Sequence, residues 1–265
     1  MILVADNIQI INKTISEAVE DLNPLPIQNL AIKCEKAGAQ AIDINSGPLS
    51  RNPEKKMGFL VESIQEVSDL PILIDTANPK AIKAGLDANK KTAIINGFSL
   101  EPAKLKAILP LAKEYNVDII GYLLYESGHV PPTALERLNV AVELFQAFCD
   151  AGIDKKHLVI DPIVPPISWD NGSFQAREVV TVIQTLPELL GFEVKTIAGL
   201  SNLTTGNAGR EKKLLLERAY LPMLASAGLD MALMNVLHRE TVGIAEACNA
   251  LTDARIFSWE TITAA

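Results

Sequence analysis

Ala41-Ile-Asp-Ile-Asn45 is a short apolar run that breaks off in a carboxylate and an amide, and the chain repeats that ending. Ile72-Leu-Ile-Asp75, Ala93-Ile-Ile-Asn96, Leu158-Val-Ile-Asp161 and Ala198-Gly-Leu-Ser-Asn202 close in the same way. Runs of Ile, Leu and Val this short, set between longer helical stretches, have the pattern of strands buried on both faces. A polar group at the last strand position cannot belong to that apolar core. When strand after strand ends so, the ends should converge on one polar pocket, and the expectation is an enzyme.

Outward from these runs, strands are expected at about 2–8, 39–45, 71–77, 92–98, 118–124, 158–162, 196–202 and 231–235. Helical periods lie between them: a stretch from Pro26 that Gly38 stops, then Lys56 to Val67, Pro79 to Ala88 and Glu101 to Tyr115. Ala134 to Ala151, Phe174 to Leu190, Glu211 to Ala227 and Leu237 to Leu251 complete the set. Eight βα units predict a parallel sheet, and eight strands close into a (β/α)8 TIM barrel, an α/β fold. An open doubly wound sheet would carry a Gly-rich turn after its first strand, and Asp6-Asn-Ile-Gln9 is nothing like one. Spacing is even and no linker is rich in Pro, Gly or Ser, so residues 1–265 are expected to form one domain.

Composition narrows the function. At 48% hydrophobic the chain has ample core material, yet no apolar run reaches the roughly 18 residues of a membrane span. Met1-Ile-Leu-Val opens on a strand without a basic leader, so no secretory signal is expected. Cys34, Cys149 and Cys248 are widely separated, with neither disulfide nor zinc spacing; they are expected as small buried hydrophobes in a cytoplasmic protein. A net charge of −8 argues against nucleic acid or an anionic membrane as partner.

Catalytic groups of such barrels sit at the C-terminal ends of the strands. Those ends supply Asp6, Gln9, Asp43, Asn45, Asp75, Asn78, Asn96, Tyr122, Asp161, Ser201, Asn202 and Asn235. The set holds carboxylates, amides and hydroxyls, with no His or Cys, so a transition-metal site and a serine-hydrolase triad are not expected. His129, His157 and His238 end no strand and are expected at the surface. Carboxylates in an apolar pocket need donors. The ligand should therefore present a dense edge of N–H groups, as a 2-amino-4-oxo-pteridine, guanine or an amidine does.

The motifs also carry a family likeness. Ile2-Leu-Val-Ala-Asp-Asn-Ile-Gln9, Gly38-Ala-Gln-Ala-Ile-Asp-Ile-Asn-Ser-Gly-Pro48, Leu73-Ile-Asp-Thr-Ala-Asn78, Ala93-Ile-Ile-Asn-Gly97, Val159-Ile-Asp-Pro162 and Gly199-Leu-Ser-Asn-Leu203 follow one another in order along the chain. In this the sequence resembles the pterin-binding methyltransferases that move a methyl group between tetrahydrofolate and a corrinoid protein. The resemblance implies a pterin-binding (β/α)8 barrel, commonly a homodimer. It implies that Asp75, Asn96 and Asp161 hold the pyrimidine edge of the pterin and that Asn202 meets N5, the atom bearing the methyl. Asp43, Asn45 and Ser201 match supporting or binding positions, and Arg210 matches a basic residue placed to meet the p-aminobenzoyl-glutamate tail. The first strand departs from the family, with Asp6 and Gln9 where Glu and Asn are usual.

The implied substrates are tetrahydrofolate or 5-methyltetrahydrofolate, with cobalamin carried on a separate corrinoid protein. The Asp-x-His-x-x-Gly motif of corrinoid-binding modules is absent: Ser127, Lys155 and Val236 stand two residues before the histidines. Transfer from methylcorrinoid to tetrahydrofolate in a demethylation pathway is the expected direction. Ala5 and the Tyr122-Leu-Leu-Tyr-Glu126 segment point to a branch other than that of the acetyl-CoA pathway. The alternatives are a dihydropteroate synthase-like enzyme, or a folate-binding subunit without catalysis.

Overall fold

The computed structural model of the chain describes residues 1–47, 49, 51–252 and 259. Pro48 of the second motif and most of the last thirteen residues of the expected 1–265 domain lie outside them. Eight parallel strands close into a barrel in sequence order: β1 (Ile2–Gln9), β2 (Ala41–Asn45), β3 (Ile72–Asp75), β4 (Ala93–Phe98), β5 (Asp118–Tyr122), β6 (Leu158–Asp161), β7 (Lys195–Gly199) and β8 (Met231–Met234). The outer ring is α1 (Lys13–Glu20), α2 (Pro24–Lys36), α3 (Pro53–Gln65), α4 (Pro79–Ala88), α5 (Pro102–Tyr115), α6 (Ala134–Asp150), α7 (Gly172–Leu190), α8 (Arg210–Ser226) and α9 (Arg239–Thr252). The expected (β/α)8 barrel is what forms. None of these helices is long and apolar enough to cross a membrane.

Local chemistry accounts for the boundaries. Prolines open α2, α3, α4 and α5 in the first turn, where the missing N–H costs nothing. Asn23 and Asn78 cap α2 and α4, and Thr133 with Glu136 forms a reciprocal capping box on α6. The α1 helix was not expected; Asn12 caps it and Ile15, Ala18 and Val19 bury one face. Its eight residues are too few for a strong periodic signal.

The barrel interior explains the endings of the strands. Val4, Ala41, Leu73, Ile94, Ile120, Val159, Ile197 and Met231, one per strand, pack into a single apolar layer. Side chains alternate faces along a strand, so the next inward position is two residues further on. Those positions are Asp6, Asp43, Asp75, Asn96, Tyr122, Asp161, Gly199 and Leu233. An apolar plug thus closes the lower barrel and a mainly polar layer sits directly on it.

Gly97 holds this layer in register. A Cβ at that position would lie 2.3 Å from the carbonyl oxygen of Ile120, and the β4–β5 pairing shifts by one residue beside it. Gly97→Ala must push β4 away from β5. The expected cost is about 2–3 kcal/mol of stability, read by chemical denaturation; an unchanged midpoint and slope would contradict it.

Three expectations are corrected. The strand expected over 196–202 stops at Gly199, and Leu200–Thr204 forms a 3-10 turn instead. Cys34 and Cys248 are buried as expected, but Cys149 is exposed because it falls on the outer face of α6. His157 is buried rather than on the surface: it leads into β6 at the base of the barrel, where its Nδ1 lies 2.8 Å from Oδ1 of Asp118.

Candidate functional site at the barrel mouth

The polar layer is wired by its amides. The Tyr122 hydroxyl donates to Oδ1 of Asn96 at 2.7 Å, and Nδ2 of Asn96 donates to Oδ1 of Asp43 at 2.9 Å. The chain fixes which way the Asn96 amide faces. Alongside it, Nδ2 of Asn45 donates to Oδ2 of Asp75 at 2.6 Å. Strand register makes this meeting inevitable, since Asn45 pairs with Asp75 and Asp75 with Asn96. On the far side, Oδ1 of Asp161 accepts from the backbone N–H of Ile163 at 2.7 Å. Among the described residues no donor is bonded to the second carboxylate oxygen of Asp75 or of Asp161.

Burial dominates the electrostatics. It raises the Asp75 and Asp161 carboxyls to about 7, against an ordinary value of 3.8. For Asp161 the Ile163 N–H and the Arg137 guanidinium pull the other way without cancelling it. Burial, then the charge of Asp75, holds Asp43 well above the carboxylate range. Asp6 rises to about 6 by burial, tempered by the Ser201 hydroxyl that donates to it at 3.1 Å. Four carboxyls above their usual range, joined mainly by neutral partners, form a site short of donors. Such a site favours a ligand that brings N–H groups.

The sequence-expected residues fall into distinct groups. Asp43, Asn45, Asp75, Asn96, Tyr122 and Asp161 come together on the inner wall at the C-terminal ends of β2 to β6. Ser201 and Asn202 reach the mouth from the 3-10 turn after β7, Ser201 against Asp6 and Asn202 exposed. The Asn202 amide lies back over Gly199, where a Cβ would stand 2.8 Å from its Nδ2. Arg210 is exposed at the first position of α8, near enough to His238 to help lower that imidazole's pKa after burial. Gln9 turns back to donate to the Asp6 carbonyl at 2.6 Å.

Two strand-end amides are structural. Asn78 caps α4, and Asn235 accepts from Asn7 at 2.7 Å. Sequence reasoning missed Arg137, which lies wholly buried in α6 behind Asp161. Its signal was present: Ala134, Ala141, Leu144 and Phe148 form the inward stripe of α6, and position 137 belongs to it. A cation on an apolar stripe needs buried acceptors.

Comparison with known proteins bears on the fold and the lineage. Residues 10–235 match the family described as pterin binding enzyme. A methylcorrinoid:tetrahydrofolate methyltransferase of Eubacterium limosum is 23% identical over 255 residues, 95% of this chain and 91% of the relative. The methionine synthase of Mycobacterium leprae is 25% identical over 209 residues, 76% of this chain but 17% of that enzyme's length. Among solved structures, dihydropteroate synthase of Xanthomonas albilineans with 4-aminobenzoic acid superposes with a TM-score of 0.67 at 21% identity, over 96% of this chain and 93% of that one. The same enzyme with indole-2-carboxylic acid and 6-chloroguanine gives 0.68 at 20% identity, over 96% and 92%. The structural likeness establishes the shared barrel, and the match over residues 10–235 establishes the lineage: the chain belongs to the pterin-binding enzyme family.

Proposed function

We propose that this protein is a methyltransferase that moves a methyl group between a corrinoid protein and N5 of tetrahydrofolate, in the direction of methylcorrinoid to tetrahydrofolate. The end-to-end alignment with the Eubacterium limosum enzyme supports the choice of reaction. The observation that carries it is the composition of the mouth at β7 and β8. Gly199, Ser201, Asn202, Leu233 and Asn235 offer amides, a hydroxyl and apolar surface, with no cation among them. Joining a pterin to an amine with loss of diphosphate would call for positive charge at these strand ends themselves, whereas Arg210 stands outside them, at the start of α8.

In this reading Asp161 and Asp75 each offer a free carboxylate oxygen to the N–H edge of the pyrimidine ring, with the fixed Asn96 amide between them. Asp43 and Asn45 act one step back, orienting Asn96 and Asp75. Asn202, exposed at the rim, meets N5. A neutral amide accepts from N5–H through its oxygen and donates to an N5 lone pair through its nitrogen, so it serves both states without carrying the proton. The corrin cobalt, brought by its own protein, supplies the methyl carbon in electrophilic form. The N5 lone pair would form the new C–N bond, the electron pair of the broken carbon–cobalt bond would stay with the corrinoid, and the N5 proton would leave to solvent. Arg210 at the start of α8 is placed at the exposed rim for the anionic tail. The homodimer implied by the resemblance belongs to the same proposal; exposed Leu215, Leu216 and Met223 on α8 support it.

An anaerobic mixture of methylcobalamin, tetrahydrofolate and enzyme tests the reaction through loss of the methylcobalamin spectrum. Wild type should turn over, and Asn202→Ala should slow turnover roughly 100-fold while leaving folate affinity nearly unchanged. Undiminished turnover in N202A would remove Asn202 from the chemistry. Folate binding without turnover, on free and on protein-bound methylcorrinoid alike, would overturn the methyltransferase.

A further inference from the structure

The Asp161 carboxyl stands on a backbone turn that an isolated strand end would not adopt. Ile163 has φ of 61°, in the left-handed region that β-branched residues avoid. The reason lies behind it. Nη1 of Arg137 donates to the carbonyls of both Pro162 and Ile163, at 2.6 and 2.8 Å. Two successive carbonyls face one cation only where the chain bends sharply between them. The same bend turns the Ile163 N–H onto Oδ1 of Asp161. The guanidinium is locked in turn: Nε donates to the Pro131 carbonyl at 2.8 Å and Nη2 to Oε1 of Gln175 at 3.0 Å. Arg137 is 0% exposed, and every donor it spends goes to the loops that frame the site or to α7.

We propose that Arg137 is the positioning residue of this site: from inside α6 it fixes the Pro162–Ile163 turn, and through that turn it aims the Asp161 carboxyl and favours its ionised form. The inference rests on the pterin-binding role given to Asp161 above. A buried cation behind a buried carboxylate favours the ionised form, which is the form that accepts N–H donors. The titratable groups facing Arg137 are Asp161 from β6, Glu178 from α7 and Tyr220 from α8, while Tyr122 of β5 faces Asp161. Glu178 accepts from the Ala134 N–H and the Tyr220 hydroxyl donates to the Ala176 carbonyl. Neither is therefore placed to replace the guanidinium. Lys at 137 would keep a charge without the planar fork, so R137K should recover only part of the effect.

The test is a carboxyl-carbon NMR titration of Asp161 in the ligand-free protein, assigned by its loss in D161N. Wild type should titrate near 7. In R137M the midpoint should rise by about one pH unit or more. Q175E supplies a variant that keeps the fork, because the new carboxylate pairs with Arg137 and cancels its field in place. It too should raise the Asp161 midpoint, and if R137M does not fold, Q175E decides alone. A midpoint unmoved in a folded R137M, or in Q175E, overturns the proposal. Tetrahydrofolate titrations of the same variants across pH form the second arm, in which the limb of rising affinity should shift up with the NMR midpoint. If wild type binds no folate, the functional assignment falls while the NMR result still judges Arg137.

Discussion

Asp161→Asn should leave the barrel standing and remove most of the affinity for a pterin. The substitution is isosteric, so the argument turns on donors alone. Oδ1 of Asp161 takes the Ile163 N–H at 2.7 Å. An asparagine there must turn its oxygen to that N–H, which points its NH₂ group at the place where the free carboxylate oxygen stood. A ligand that arrives with N–H groups then meets a donor in place of an anion. The hydrogen bond to that charged oxygen is lost, worth about 1.5–3 kcal/mol, and the ligand donor left facing another donor adds a desolvation cost of about 1–3 kcal/mol. A fall of roughly 1,000-fold in affinity follows from about 4 kcal/mol. Calorimetric titration with tetrahydrofolate measures it; affinity within a few-fold of wild type would mean that Asp161 does not hold the ring.

Much of this site was legible because a strand ending is a local property. Asp43, Asp75, Asn96 and Asp161 each lie two residues beyond an apolar inward position, Ala41, Leu73, Ile94 and Val159. Period two and the closure of the barrel bring them together. What the sequence hides is which polar residue joins which, because the partners are remote. Ser201 reaches Asp6 across 195 positions, and Asn78 and Asn235 look like the other strand ends until their caps and partners are seen. The seventh strand was expected to run to 202 because Ala198-Gly-Leu-Ser-Asn202 ends in an amide as the other runs do, yet Leu200–Thr204 forms a 3-10 turn with Leu200 and Leu203 buried. Arg137 escaped for a different reason: three of its four acceptors are main-chain carbonyls, which leave no trace in residue identity.

The ligand-free protein should lose stability as pH rises from about 5 to 8, the reverse of the usual acid sensitivity. Asp161 and Asp75 sit at about 7 in the fold and Asp6 at about 6, against 3.8 for an ordinary aspartate, with Asp43 also raised. Between these values the folded chain binds more protons than the unfolded one, so its advantage is fully present below about pH 4 and is lost as pH climbs through 6 to 7. Asp161 covers about two pH units of that displacement between pH 5 and its folded value of about 7, and at about 1.4 kcal/mol per unit it alone accounts for a loss on the order of 3 kcal/mol over the interval. Asp43 and Asp75 repel one another as neighbours, so their protons come off as a pair and are not counted twice. For a chain of this size the Asp161 contribution corresponds to a fall in Tm of about 10 °C. Scanning calorimetry at pH 5 and pH 8 reads the slope, and D161N, which cannot ionise, should flatten much of it while being more stable than wild type at pH 8. A Tm that holds or rises across the interval, or an identical slope in D161N, would show that these carboxyls are not held protonated in the fold. Ligand affinity must run the opposite way, because the N–H edge of a pterin selects the ionised carboxylates. Affinity therefore strengthens over the same pH range in which the empty barrel weakens, and saturating tetrahydrofolate should restore much of the lost Tm at pH 8.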